Sequence, residues 1–227
     1  MPQAQASSLR VIITGATGMV GEGVLLECLS HPAVAHVLSV SRKPCGVIHD
    51  KLRECIVADF LELDGISEQL AGYDACFFCA GVSSLGMSEA EYTRITYDVT
   101  LHFAQQLVRL GSQVSFVYVS GAQTDSSEKG RVMWARVKGR TENALQRVGF
   151  RKAYSFRPGA MRASPGQRNL KWYYTALSWL YPLLRATLPD HVSTLQVVAR
   201  AMINAVLTGY PKQILEVKDI NALGAIS

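Results

Sequence analysis

The sequence has no long apolar run, no dense block of lysine and arginine, and no histidine or cysteine spacing that would hold a metal. Each absence removes a class of function. A membrane-spanning helix needs about 20 consecutive apolar residues. The most apolar segment, Trp172 to Leu184, is interrupted by Ser178 and Pro182 and ends at Arg185. It reads as a packed lid, with an interfacial helix as the alternative, and no transmembrane segment is expected. Lys and Arg together number 23 against 18 Asp and Glu, for a net charge of +5. The basic residues are scattered, so nucleic acid is not an expected partner; the surplus suits a small phosphorylated ligand. His31, His36, His49, His102 and His191 lie far apart, and no metal is expected. No carboxylate pair suggests hydrolysis, and G-x-S-x-G is missing.

The cysteines are odd in number and dispersed: Cys28, Cys45, Cys55, Cys76 and Cys79. Together with the lack of a secretory leader they point to a reducing, cytoplasmic compartment. Cys76 and Cys79 spell C-x-x-C inside an apolar run that reads as a strand. Residues three apart on a strand face opposite sides, so buried free thiols are expected rather than a redox pair.

What is present is alternation. Short β-branched runs at Leu9–Thr14, Val37–Val40, Arg53–Ala58, Ala75–Cys79, Val114–Val119, Ala153–Phe156 and Ile214–Val217 read as strands. Helical spacing marks Met19–Leu29, Glu89–Leu110, Val132–Val148 and Thr194–Leu207, the last capped by Ser193 or Thr194. The 227 residues, 48% hydrophobic, suit one α/β domain built on a doubly wound parallel sheet. Ligands of such sheets bind beyond the carboxyl ends of the strands. The residues there are Gly15, Arg42, Asp59, Gly81, Ser120 and Pro158.

The first strand–helix junction reads Thr14-Gly15-Ala16-Thr17-Gly18-Met19-Val20-Gly21. Gly15 permits a tight turn. Gly18, flanked by Thr17 and Met19, lets backbone N–H groups approach a pyrophosphate. Gly21 permits close packing of helix on strand. The spacing is G-x-x-G-x-x-G, and with Thr14 in front it resembles the short-chain dehydrogenase/reductase superfamily, a Rossmann-like fold. Ala58-Asp59-Phe60, Cys79-Ala80-Gly81 and Arg157-Pro158-Gly159 extend the resemblance over nearly the whole chain. "VKG", "FRPGAM" and "TLQVVARAMINAV" resemble, more narrowly, an atypical NAD(P)H-binding branch related to the human Tat-interacting oxidoreductase. The resemblance implies a nicotinamide dinucleotide as ligand, with Asp59 and Phe60 near the adenine. Ala80 and Gly81 would line the turn after strand four, and Pro158 and Gly159 the nicotinamide side.

The end of strand two selects the nucleotide. An acidic residue there would bind a ribose 2′-hydroxyl and repel a 2′-phosphate. This chain has Arg42 and Lys43 instead, so NADP is expected over NAD.

Carbonyl reductases of the superfamily use Tyr-x-x-x-Lys with a Ser after strand five. Residues four apart share a helix face, and the ammonium lowers the phenol pKa for proton transfer. The resemblance places Lys138 at the Lys, Ser120 at the Ser (Thr124, Ser126 and Ser127 being alternatives) and Trp134 at the Tyr. An indole N–H is a donor that does not titrate usefully. Three readings follow: a reductase with another proton donor, drawn from Tyr92, Tyr97, Tyr173, Tyr174 or a water on Ser120; a non-catalytic NADP(H) sensor or regulatory protein; or a displaced alignment, against which no other Tyr lies four before a Lys on this helix. Residues 162–192, aromatic and broken by Pro165, Pro182 and Pro189, suit a lid over a small apolar substrate. They suit a homo-oligomer interface equally.

Overall fold

Successive residues of β1 (Leu9–Thr14) part to opposite sides of a sheet, and so divide the core in two. The computed structural model describes residues 8–111, 113–170 and 181–226. Val11 and Ile13 face one apolar cluster and Ile12 faces the other, all three fully buried. β1 pairs on one side with β2 (Val34–Ser41), which pairs with β3 (Leu52–Ile56). On its other side lie β4 (Ala75–Phe78), β5 (Ser115–Val119), β6 (Lys152–Arg157) and, at the far edge, β9 (Ile214–Glu216). All these pairings are parallel, and the order is β3-β2-β1-β4-β5-β6-β9. The expected parallel α/β sheet is therefore the one observed.

α1 (Met19–Ser30) packs on the first face, where α6 (Leu195–Leu207) lies against it. Cys28 and Val24 join Val198 and Met202 in that cluster. Arg200 on α6 pairs with Glu27 on α1 at 2.7 Å. The opposite face is covered by α4 (Val99–Leu110) and α5 (Met133–Leu145), with Phe78, Phe103 and Phe116 at its centre. The C-x-x-C residues divide as expected. Cys76 belongs to the second cluster, Cys79 packs against the first, and the five thiols are free.

Several elements depart from expectation. The helix expected over Glu89–Leu110 is α3 (Glu89–Thr93), a π-helical turn at Arg94–Asp98, then α4. The cap of α6 is one of the two expected: the Thr194 Oγ1 accepts the Val197 N–H at 3.2 Å. Ser193 instead donates to Asn221 at 2.7 Å. β9 gives way to a helix the periodicity did not reveal, α7 (Val217–Gly224), started by a capping box in which the Asp219 carboxylate accepts the Glu216 N–H at 3.2 Å. A separate two-stranded parallel sheet joins β7 (Ala160–Arg162) to β8 (Val192–Thr194). It fastens the two ends of the segment expected to be a lid, whose residues 171–180 lie outside the described part. Among the described residues no helix is long and apolar enough to cross a membrane.

β6, α5 and β9 are joined through Arg157. Its Nε and Nη2 donate to the two carboxylate oxygens of Glu142, at 3.0 and 2.5 Å, and Nη1 donates to Glu216 at 3.1 Å. The Glu142 side chain is 1% exposed, so its charge has little recourse to water. Arg157→Met is expected to strand that carboxylate and cost about 3–5 kcal/mol in urea unfolding. Arg157→Met combined with Glu142→Leu should recover part of the loss, because the stranded buried carboxylate is removed, while Lys138 loses the charge of Glu142 beside it.

Candidate dinucleotide-binding site

Gly15 has φ +73°, a left-handed conformation suited to glycine. A Cβ there would stand 2.7 Å from the backbone nitrogen of Ala80, and one on Gly21 would stand 2.1 Å from the Gly15 carbonyl oxygen. The turn is thus squeezed between the carboxyl end of β4 and the first turn of α1. Thr14 completes the squeeze: fully buried, its Oγ1 accepts the Ala80 N–H at 3.1 Å. Its hydroxyl therefore orders the turn from behind. Gly18 is exposed and caps α1 without a side-chain hydrogen bond. The amino end of α1, with its exposed neighbour Thr17 and half-buried Met19, remains an anion-binding end for a ligand.

In front of this end lies a cavity of about 450 Å³ lined by Gly15, Thr17, Gly18, Arg42, Lys43, Phe60, Ala80 and Gly81. A neighbouring cavity of about 310 Å³ shares Arg42, Phe60 and Gly81 and adds Asp59. The π-helical turn lends Arg94 and Ile95 to its wall. That feature had no sequence signal, because a π turn depends on packing. A larger cavity, about 660 Å³, is lined by Arg10, His36, Arg53 and Tyr73, at the amino ends of the strands. It is remote from the glycine turn. Arg42 and Lys43 are exposed, and the Ser41 hydroxyl donates to the Lys43 carbonyl at 2.7 Å, folding the basic pair into a turn. Asp59 accepts the Leu61 N–H at 2.9 Å, and Phe60 is buried.

Three residues from separate segments meet beyond β5. The Lys138 ammonium donates to the Ser120 carbonyl, and the Ser120 hydroxyl donates to the Phe156 carbonyl at 3.0 Å. A Cβ on Gly121 would lie 4.0 Å from the Trp134 ring. Trp134 is half-buried. The alternatives are hydrogen-bonded as Ser120 is: Thr124 donates to the Gly121 carbonyl, Ser126 accepts from Arg157, and Ser127 donates to Asp125. Gly139 explains the glycine of "VKG", since a Cβ there would stand 1.8 Å from the Asp125 carbonyl oxygen. Helix α5 can approach the β5 loop closely only with glycine at that position.

The remaining motif is structural in its contacts. Arg157 is held by carboxylates, the Pro158 carbonyl accepts the Ala122 N–H at 3.0 Å, and a Cβ on Gly159 would press on the His191 carbonyl. Of the candidate proton donors, Tyr92 is 2% exposed and burial raises its pKa. Tyr97 lies under Arg140, whose guanidinium carbon is 4.3 Å from the ring centroid. Tyr173 and Tyr174 lie outside the described residues. Among those residues no group of three or more His, Cys, Asp or Glu would hold a metal.

A family model described as the NAD dependent epimerase/dehydratase family matches residues 11–130, from β1 through the loop that holds Asp125. The chain belongs to the NAD dependent epimerase/dehydratase family. Protein HTATIP2 of Rattus norvegicus is 26% identical over 228 residues, covering 94% of this chain and 88% of the relative. Protein fmp52-1, mitochondrial, of Aspergillus terreus is 30% identical over 156 residues, 66% of this chain and 65% of the relative. Both relatives support the atypical short-chain dehydrogenase/reductase branch. The solved structure of MoeE5 in complex with UDP-glucose and NAD superposes with a TM-score of 0.65 at 19% identity, over 95% of this chain and 81% of that one. A short-chain dehydrogenase family protein from Francisella tularensis gives 0.62 at 13%, over 89% and 92%. The fold is that of the family, and a nicotinamide dinucleotide suits the turn because the exposed amino end of α1 faces the cavity lined by Gly15, Thr17 and Gly18.

Burial lowers the Lys138 pKa to about 8, partly opposed by the charge of Glu142 one turn on, a neighbour the sequence reading overlooked. The ordinary value is 10.5. Below about pH 8 the ammonium is charged in both folded and unfolded chains, and its desolvation penalty is felt in full. Between 8 and 10.5 the unfolded chain binds the extra proton, so the penalty fades. The stability of the protein relative to Lys138→Met is therefore expected to rise across that pH window in urea titrations. A difference that stays flat would remove the buried ammonium from the account.

Proposed function

We propose that the protein is an NADP(H)-dependent oxidoreductase acting on a small apolar carbonyl or quinone, with an altered Tyr-x-x-x-Lys site. The observation that carries this is the basic turn at Arg42, which borders the same cavity as the glycine turn. The α1 end holds the pyrophosphate through the N–H groups of Thr17 and Met19, which flank Gly18, whose own N–H is given to the Gly15 carbonyl. Arg42 and Lys43 hold a 2′-phosphate, and Asp59, Phe60, Ala80 and Gly81 border the adenosine. An ammonium has three donors. Lys138 gives one to Ser120, and the others serve the nicotinamide ribose beside Pro158 and Gly159. NADPH supplies a hydride when bound. The chain contributes orientation of the substrate oxygen by a water on Ser120, and exclusion of solvent by the lid at 162–192. The single domain of residues 1–227 operates in the cytoplasm, as its free thiols suggest.

A second reading has a specific support. Trp134 occupies the tyrosine's place, and an indole provides no general acid. On this reading the chain binds NADP(H) as a sensor or regulatory protein. Purified protein with NADPH, screened against aldehydes, ketones and quinones, separates the two: turnover supports the enzyme, and tight binding without turnover supports the sensor.

The nucleotide preference is tested at Arg42. Arg42→Ala is expected to weaken NADPH binding roughly tenfold in calorimetry and to leave NADH binding nearly unchanged. Tighter binding of NADH than of NADPH by the unmutated protein would overturn the preference.

Trp134→Tyr places a phenol four residues before Lys138, where the ammonium stabilises the phenolate. General acid–base catalysis is typically worth about 10²–10⁴-fold, so carbonyl reduction should rise visibly with a substrate that fits. Adding Lys138→Ala should remove most of that gain. Rapid turnover by the unmutated protein with no response to Trp134→Tyr would show that the proton comes from elsewhere.

A further inference from the structure

The strap of residues 164–169, the part of the 162–192 segment that follows β7, is fastened to the first turn of α1. Both carboxylate oxygens of Glu22 accept strap N–H groups, from Arg168 and from Asn169, each at 2.8 Å. The Gln167 side chain donates to the Met19 carbonyl at 2.7 Å and accepts the Ser164 N–H at 2.6 Å. Glu22 is 4% exposed, so this is a buried latch, and its partners lie 146 and 147 residues along the chain.

The latch poses an electrostatic problem. Glu22 sits where the helix dipole favours a negative charge. A pyrophosphate at the same helix end would add two more, and the strap N–H groups offset the carboxylate without supplying net charge. The cations lining the cavity before the glycine turn are Arg42 and Lys43, at the β2 end. The glycine turn itself, Gly15 to Gly21, contains no basic residue.

We propose that this strap is the second wall of the pyrophosphate site and that Arg168 supplies its counter-cation. The inference rests on the nicotinamide-dinucleotide reading of the site. The Arg168 backbone is held at hydrogen-bonding distance from Glu22, which lies three residues from the start of α1 at Met19. Three residues advance a helix by about 4.5 Å, less than the length of an extended arginine. Arg168 is exposed and so available to a ligand. Its forked guanidinium matches paired phosphate oxygens, and its backbone is placed in advance by the latch.

The test uses three ligands titrated into the full chain at fixed ionic strength: NADPH, NADH and adenosine 2′-phosphate, which lacks the pyrophosphate. Arg168→Ala is expected to raise the dissociation constants of both dinucleotides roughly 10- to 100-fold and to leave adenosine 2′-phosphate unchanged. Arg42→Ala should give the converse pattern, weakening NADPH and adenosine 2′-phosphate and sparing NADH. Arg168→Ala with unchanged dinucleotide affinities, or with all three ligands weakened alike, would overturn the inference. Failure of the unmutated chain to bind either dinucleotide would instead overturn the reading of the site itself.

Discussion

The site depends on a contact with no side chain in it: the Gly15 backbone pressed between Gly21 of α1 and Ala80 beyond β4. A Cβ at either glycine would fall within 2.7 Å or less of backbone atoms, and backbone cannot yield as a flexible side chain does. That crowding brings α1 up to the β1–β4 junction, where its positive end meets the cavity. The Thr14 hydroxyl holds the same junction from the core side. Arg42 and Lys43 then enter the cavity because β2 is the neighbour of β1, and Ala80 and Gly81 because β4 is the other neighbour. One steric constraint and the strand order account for the glycine-turn side of the cavity, which Phe60 reaches from the segment after β3.

These parts were legible in the sequence for a physical reason. A left-handed turn followed by a close helix approach admits few residue types, so Gly15 and Gly21 announce it locally. The alternation of short apolar runs with helical spacing likewise reports a parallel sheet. Other features depended on distant partners. The Glu22 latch joins residues 146 positions apart, and neither end looks unusual in its own segment. β7 and β8 are three residues each and exist as a pair. Helix α7 has a legible capping signal in Glu216 and Asp219, but it is short and follows β9 without a break. The π turn at Arg94–Asp98 sits inside an otherwise ordinary helical pattern.

The cluster beyond β5 is organised differently. Ser120, Trp134 and Lys138 converge because α5 can approach the β5 loop, which Gly139 permits. The convergence is a property of backbone packing, but the chemistry is a property of the side chains mounted on it. Lys138 illustrates the separation. Its partner is a backbone carbonyl, which any residue at position 120 would offer, while its pKa depends on burial and on Glu142. Glu142 in turn is held by Arg157, so the arginine of the "RPG" stretch reaches the site through a chain of charges.

Family membership therefore bears unequally on the two halves. The matched residues 11–130 contain the glycine turn, the basic turn and Ser120, and end before Trp134 and Lys138. The glycine turn rests on backbone positions, where a substitution would disturb the fold. A proton donor is a single titrating side chain, which can change without disturbing the fold. On the proposed reading Trp134 is such a change, set on the helix that carries Gly139 and Lys138. A chain can thus keep the fold and the cofactor wall of its family while the reaction, or whether there is one, turns on the proton donor beside Lys138.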